Sequence, residues 1–245
     1  MNDIGENFKR VKESIDFDEI NDFLIELINK PDINNLKYLD YFLENYQSDI
    51  LDKIMINIIY LIGQIGCIEN IDAKYQEFLL EEYFKSDRWI RNEILKSLDL
   101  ISNKNYLSKE LTQILEYSLL DDYNPIKISS LSLLLKFDSL SNSISKNLLK
   151  LSNFLDSNLI DIYTKVLRKF FINEDQIFQL LNKDETYKTL NKNSIRTLLI
   201  TFFKSILDLE SFRDLISNAK WEIKYKENFL KEIYTFEKIL MKKIY

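Results

Sequence analysis

The side chains available for chemistry are carboxylates, lysines and one thiol, because the 245-residue sequence contains no histidine. That absence removes Ser-His-Asp and Cys-His nucleophile systems, histidine general bases and histidine metal ligands together. Neither a GxxxxGK[ST] loop nor a GxGxxG turn is present to cradle phosphate. The acidic clusters Asp16/Asp18/Glu19/Asp22, Glu81/Glu82 and Asp184/Glu185 lack the spacing and glycine of a calcium loop. They read instead as helix starts or solvated faces. Cys67 is the only cysteine, so it has no internal disulfide partner and suits a reducing cytosol. At the end of an apolar run it reads as a small buried residue. A non-enzymatic protein with no cofactor and no metal site is the expectation, and attention moves from reactive groups to surfaces.

Those surfaces must be carried by helices. Hydrophobic residues make up 46% and charged residues 29% of the chain, the balance of an ordered protein with a core. Only three glycines and two prolines occur. Hairpins and tight β-turns need those residues, so their scarcity predicts an all-α chain joined by short polar turns. The net charge of −6 argues against nucleic acid over the whole surface, while leaving room for a local basic strip. The segment MNDIGENFKR has no apolar h-region, so no signal peptide is expected. The longest apolar run, Ile54–Ile62, contains Asn57 and is short for a bilayer span, which predicts no membrane insertion and a cytoplasmic location.

One stretch organises the reading: Ser86–Ser102, SDRWIRNEILKSLDLIS. Ser86 and Asp87 can accept from the first amides of a helix, and Ile90, Ile94, Leu98 and Ile101 share one face. The same order recurs from Ile54, Ile126, Leu159 and Ile195, so that the five anchors lie 36, 36, 33 and 36 residues apart. A period of that length built from helix pairs is a repeat signature. Aspartate followed by Ile90-Arg91-x-x-Ile94-x-x-Ser97-Leu98 resembles the second helix of a HEAT repeat. The motif's basic residue is Arg91, Lys127 and Arg196, but Met55 and Ile160 stand there in the other copies; its small residues become Ile58, Tyr163 and Phe202.

The resemblance implies a right-handed α-α superhelix, with roughly twelve to fourteen helices in antiparallel pairs. A chain of this length could form one elongated domain or two compact ones. The repeat pattern predicts a single domain, 1–245, with repeats over 33–207 and caps at 1–30 and 210–245. It also implies a ladder in which the turn aspartates meet basic residues, as Asp87/Arg91 and Asp122/Lys127. The fourteen Tyr and sixteen Phe fall at helical spacing and read mainly as core.

At 100° per residue, positions two, six and nine after each anchor lie opposite the core stripe. The resemblance places this row on the concave surface, and it begins apolar and ends basic. The residues expected to bind are Tyr60, Asn92, Lys96, Ile128, Ser132, Lys165, Arg168, Thr201 and Lys204. Such a groove suits a peptide segment or helix of a protein partner, the task of a scaffold or adaptor. Two alternatives share the architecture. HEAT-like alkylpurine DNA glycosylases are of similar length, but they use a basic concave surface with Trp and Asp, and here Trp89 and Trp221 lie at a helix start and near the C-terminus. A small acidic inhibitor, such as an immunity protein neutralising a toxin, would use the same binding physics.

Overall fold

The computed structural model describes residues 4–242. Among them 76% are helical and none is in a strand, so the chain is all-α. Fourteen α-helices follow in order: α1 (Ile4–Val11), α2 (Phe17–Ile28), α3 (Leu36–Asn45), α4 (Ser48–Ile68), α5 (Ala73–Tyr83), α6 (Arg88–Ile101) and α7 (Leu111–Ser118) come first. Then come α8 (Asn124–Leu134), α9 (Asn142–Leu151), α10 (Ile160–Phe170), α11 (Glu174–Asn182), α12 (Lys192–Phe202), α13 (Ile206–Asn218) and α14 (Ile223–Lys242). Short 3-10 segments lie at Ile33–Asn35, Ser152–Phe154 and Lys183–Thr189. The chain divides into two compact units, Met1–Ile114 and Leu115–Tyr245.

The local code works through caps rather than through glycine. Asp16, Asp72 and Asp87 each accept from the amide two residues on, and Asp87 also from Ile90. Ser141, Asn173, Asn191 and Ser205 do the same work for α9, α11, α12 and α13. Asp87 accepts from two amides of its own helix start, and the Arg91 guanidinium lies over the Tyr83 ring, 5.9 Å from its centroid. At the expected Asp122/Lys127 rung the lysine takes another partner. Lys127 donates to Asn124 Oδ1 at 3.1 Å, and the Asn124 amide donates to Asp156, the cap of the next turn. A basic side chain thus reaches the following turn through an asparagine.

Even-numbered helices carry the core stripe. Ile54, Ile58, Leu61 and Ile62 are buried on α4, as are Ile94, Ser97 and Leu98 on α6. Ile126, Ser130, Leu133 and Leu134 are buried on α8, and on α10 so are Tyr163, Val166 and Leu167, with Leu159 at its N-cap. On α12 Ile195 and Leu199 are buried, as is the following Phe203; Ile90 and Phe202 are half-buried. The structure extends the pattern to both ends. On α2 it is Ile20, Leu24 and Leu27, with Ile28 half-buried, and on α14 it is Phe229, Ile233 and Phe236. Each outlying anchor is 34 residues from its neighbour, Ile20 to Ile54 and Ile195 to Phe229.

Stacking follows from these stripes. In the first unit α4 packs between α2 and α6, with α1, α3 and α5 against α2, α4 and α6 respectively. In the second unit α10 packs on α8 and α12, and α14 on α12 and α13. α4 and α6 approach closely. A Cβ added to Gly63 would sit 2.6 Å from Ser97 Oγ and 2.9 Å from Ser97 Cα, and Ser97 Oγ donates to the Ile59 carbonyl at 3.0 Å. This two-sided packing explains the composition of α4. An 18-residue window within its 21 residues reaches a mean hydropathy of 1.5, long and apolar enough to cross a membrane, and half of that window is buried inside the protein.

One segment departs from the expected helices and another is irregular. A helix is expected over Tyr106–Leu120, but α7 starts only at Leu111. The buried Gln76 side chain intercepts the preceding backbone, donating to the Tyr106 carbonyl at 3.1 Å and accepting from the Ser108 amide at 3.2 Å. The least periodic stretch of the sequence, Asp184–Lys192, holds two successive left-handed residues, Asp184 (φ 50°) and Glu185 (φ 53°). Such conformations cost of order 1–2 kcal/mol each without glycine. Beside them Tyr187 stacks on Trp221 at 4.2 Å, and Lys188 bonds both Glu185 and Glu222, at 2.9 and 2.6 Å.

Core and surface on α6 should separate in urea melts: Leu98→Ala should lose about 2–5 kcal/mol and Lys96→Ala no more than about 0.5 kcal/mol. Equal losses would overturn the stripe assignment. Gly63→Ala should cost about 1–3 kcal/mol, since Ser97 backbone stands in the way. An unchanged midpoint would mean that α4 and α6 lie farther apart.

Candidate functional site

The nine residues expected to bind fall in both units, and their side chains differ in what they offer. In the first unit Tyr60 is exposed on α4 beside exposed Ile56. Lys96 is exposed on α6 and pairs with Glu93 at 3.1 Å. Asn92 is only 8% exposed, so its amide faces packed protein rather than solvent. Gly63, in the same row, is covered by α6.

In the second unit Ile128 and Ser132 are half-buried on α8. Thr201 is 3% exposed and its hydroxyl donates back to the Thr197 carbonyl at 2.7 Å, the usual fate of a mid-helix threonine. Lys165, Arg168 and Lys204 are exposed. No carboxylate among the described residues lies within ion-pair distance of any of these three. Arg168 also sits in the last turn of α10, where unpaired carbonyls favour a cation.

Arg168 and Lys204 meet at one place. They border a cleft of about 410 Å3 whose apolar wall is Phe171, Phe202 and Phe203, with Glu174 and Asp208 on the rim. Ile172, at the turn between α10 and α11, is 83% exposed at its edge. On the other side of that turn a second cleft, of about 490 Å3, is lined by Lys169, Phe170, Gln176 and Lys183. Lys169 is already committed, donating to the Leu135 carbonyl at the end of α8 at 2.6 Å. The aromatic wall escaped sequence reasoning because Phe202 and Phe203 read as core stripe. The run Phe170-Phe171-Ile172 directly before the cap Asn173 was the available signal: large apolar residues at a helix end with no periodicity left to bury them.

Beneath this face the titratable groups are structural. Burial pushes the Tyr163 phenol well above its ordinary value, so it stays neutral on the buried side of α10. Glu232 is 2% exposed on α14 and is held by Arg196 and Lys192 of α12, the latter at 3.7 Å. Among the described residues no group of three His, Cys, Asp or Glu side chains is placed to hold a metal ion.

No protein-family model matches the sequence, and no curated protein matches it. Among solved structures the chain is similar to a crystal structure of an engineered protein, a Northeast Structural Genomics Consortium target. The identity is 15%, the match covers 96% of this chain and 98% of that one, and the TM-score is 0.50. At that identity the likeness concerns the fold alone.

Removing a partner of a buried carboxylate costs more than removing an exposed cation elsewhere. Arg196→Ala should therefore destabilise by about 3–5 kcal/mol, and Lys192→Ala, whose contact is longer and wetter, by about 1 kcal/mol or less. Equal, small losses in chemical denaturation would show that Glu232 is hydrated in solution.

Proposed function

We propose that this protein is a HEAT-like helical-repeat module, non-catalytic and cytoplasmic, that binds a segment of a protein partner along the exposed row of its even-numbered helices. The observation that carries the reading is three exposed cations without an ion pair, two of them beside an aromatic cleft whose rim also carries Glu174 and Asp208. Lys165, Arg168 and Lys204 stay exposed in a chain of net charge −6, and two of them border the wall formed by Phe171 and Phe202. An apolar side chain entering the cleft would contribute about 1.5–3 kcal/mol. The cations, wet and screened by salt, would set orientation and association rate more than affinity. The HEAT-like part of the reading is supported by the stripe at seven even-numbered helices and by their stacking within each unit.

The repair-enzyme alternative has less in its favour. Trp221 is stacked under Tyr187 and Phe178 and is 7% exposed, so it offers no face to a base. An inhibitor or immunity role is a special case of the same binding reading, differing in the partner alone.

Affinity purification from the source cell followed by mass spectrometry identifies the partner, and surface plasmon resonance then tests the contact. Lys165→Glu with Arg168→Glu should slow association about tenfold at low salt, and Ile128→Asp should speed dissociation. If both variants bind as the parent does, the contact lies on another face. Tight, salt-dependent binding of duplex DNA would favour the repair-enzyme alternative instead.

A further inference from the structure

The basic row does not stop at α12. Counting from the buried anchors, positions two, six and nine read Asp161, Lys165 and Arg168 on α10, then Thr197 and the buried Thr201 on α12, with Lys204 two residues beyond the end of that helix and beside Arg168 at the cleft. On α14, whose anchor is Phe229, the same positions are Lys231, Thr235 and Lys238, all exposed. Equal offsets mark one face only if successive helices stack in one register. A polar contact shared by both units supplies that check. Position one of an even-numbered helix bonds position three of the next, as Asn21 with Asn57 at 2.7 Å and as Arg196 with Glu232. Thus α14 continues the stack of α12 rather than capping it, and its lysines extend the row.

Resting on the binding reading above, we infer that the row across α10, α12 and α14 receives an acidic amphipathic helix of a protein partner, lying across the three helices. Five basic side chains, Lys165, Arg168, Lys204, Lys231 and Lys238, stand against the single aspartate Asp161 in these positions. Lys238 lies over the Tyr234 ring, 4.1 Å from its centroid, and neither it nor Lys231 has a carboxylate within ion-pair distance among the described residues. Packed helices lie about 8–10 Å apart, the interval expected between side chains at equal offsets on neighbouring helices. A ligand helix rises 1.5 Å per residue, and carboxylates seven residues apart are separated by about 10.5 Å, which fits one acidic group to each helix crossed. Backbone phosphates of nucleic acid are spaced more closely than this. The short hydroxyls of Thr197 and Thr235, bonded to carbonyls in their own helices, leave the row low enough for a helix to approach.

Fluorescence anisotropy with the full chain and a labelled helical peptide bearing glutamate at every seventh position tests this. A peptide of the same composition with its glutamates adjacent is the control, and a duplex DNA oligonucleotide is the competing probe. The spaced peptide should bind at least about fivefold more tightly than the control, and Lys231→Glu with Lys238→Glu should weaken it about tenfold with the circular dichroism unchanged. If that double change has no effect while Lys165→Glu with Arg168→Glu weakens binding, the extension onto α14 is wrong and the binding reading stands. Indifference to both changes removes the row as a binding surface. Equal affinity for the two peptides, or tighter binding of DNA at the same ionic strength, overturns the acidic-helix inference.

Discussion

An amphipathic helix with an i, i+4, i+7 stripe has no stable place unless something covers that stripe, and in this protein the cover is always another helix. Odd-numbered helices close α2, α4, α6 and α14 from one side, while even-numbered neighbours close them laterally. Once these two sides are taken, the remaining arc of each even-numbered helix is the one free to meet a partner. The width of that arc depends on how closely neighbours approach. Where Ser97 lies against Gly63, the lateral contact extends to position nine of α4; at Lys204 the same position is open.

Polar side chains hold successive helices at a fixed interval. Asn105 donates to the Gly66 and Glu69 carbonyls at 2.8 and 3.1 Å and accepts from the Ile71 amide at 3.0 Å, joining the end of α4 to the turn that follows it. Asn153 performs a similar service near α12, donating to the Thr189 carbonyl and accepting from the Asn191 amide. Lys169 reaches back to the end of α8. Each of these bonds occupies carbonyls or amides that a helix leaves without partners. In a chain with three glycines, C-terminal turns closed by a left-handed glycine are scarce, and asparagine and lysine side chains take over the task. The two left-handed residues that do occur, Asp184 and Glu185, are flanked by the Trp221–Tyr187 stack and the Lys188 ion pairs.

Charge is distributed against the grain of the composition. The acidic excess lies largely at helix starts and on scattered exposed positions, whereas α10 and α14 and the turn after α12 collect cations on the outward side. Those cations are wet and would be strongly screened above physiological salt. Their influence on recognition is therefore one of approach and orientation, with aromatic groups such as Phe171 and Phe202 able to supply contact energy.

The sequence by itself determined the helical class, the identity of most core residues and the repeat interval. All three follow from local periodicity and from the near-absence of glycine and proline, which any segment carries regardless of its neighbours. Ile54, Ile126, Leu159 and Ile195 could be named as anchors for that reason. Tertiary structure alone decided which exposed-looking positions stay exposed. Thr201 sits at the same helical angle as Lys96 and Lys165, with Asn92 about 40° away on the same outward arc, yet Asn92 and Thr201 are buried while the two lysines are exposed. The late start of α7 was equally invisible, since Gln76 reaches it from some thirty residues away. So was the place of α14 in the stack: its stripe is readable, but its register against α12 rests on Arg196 meeting Glu232, a contact between residues thirty-six apart that only folding brings together.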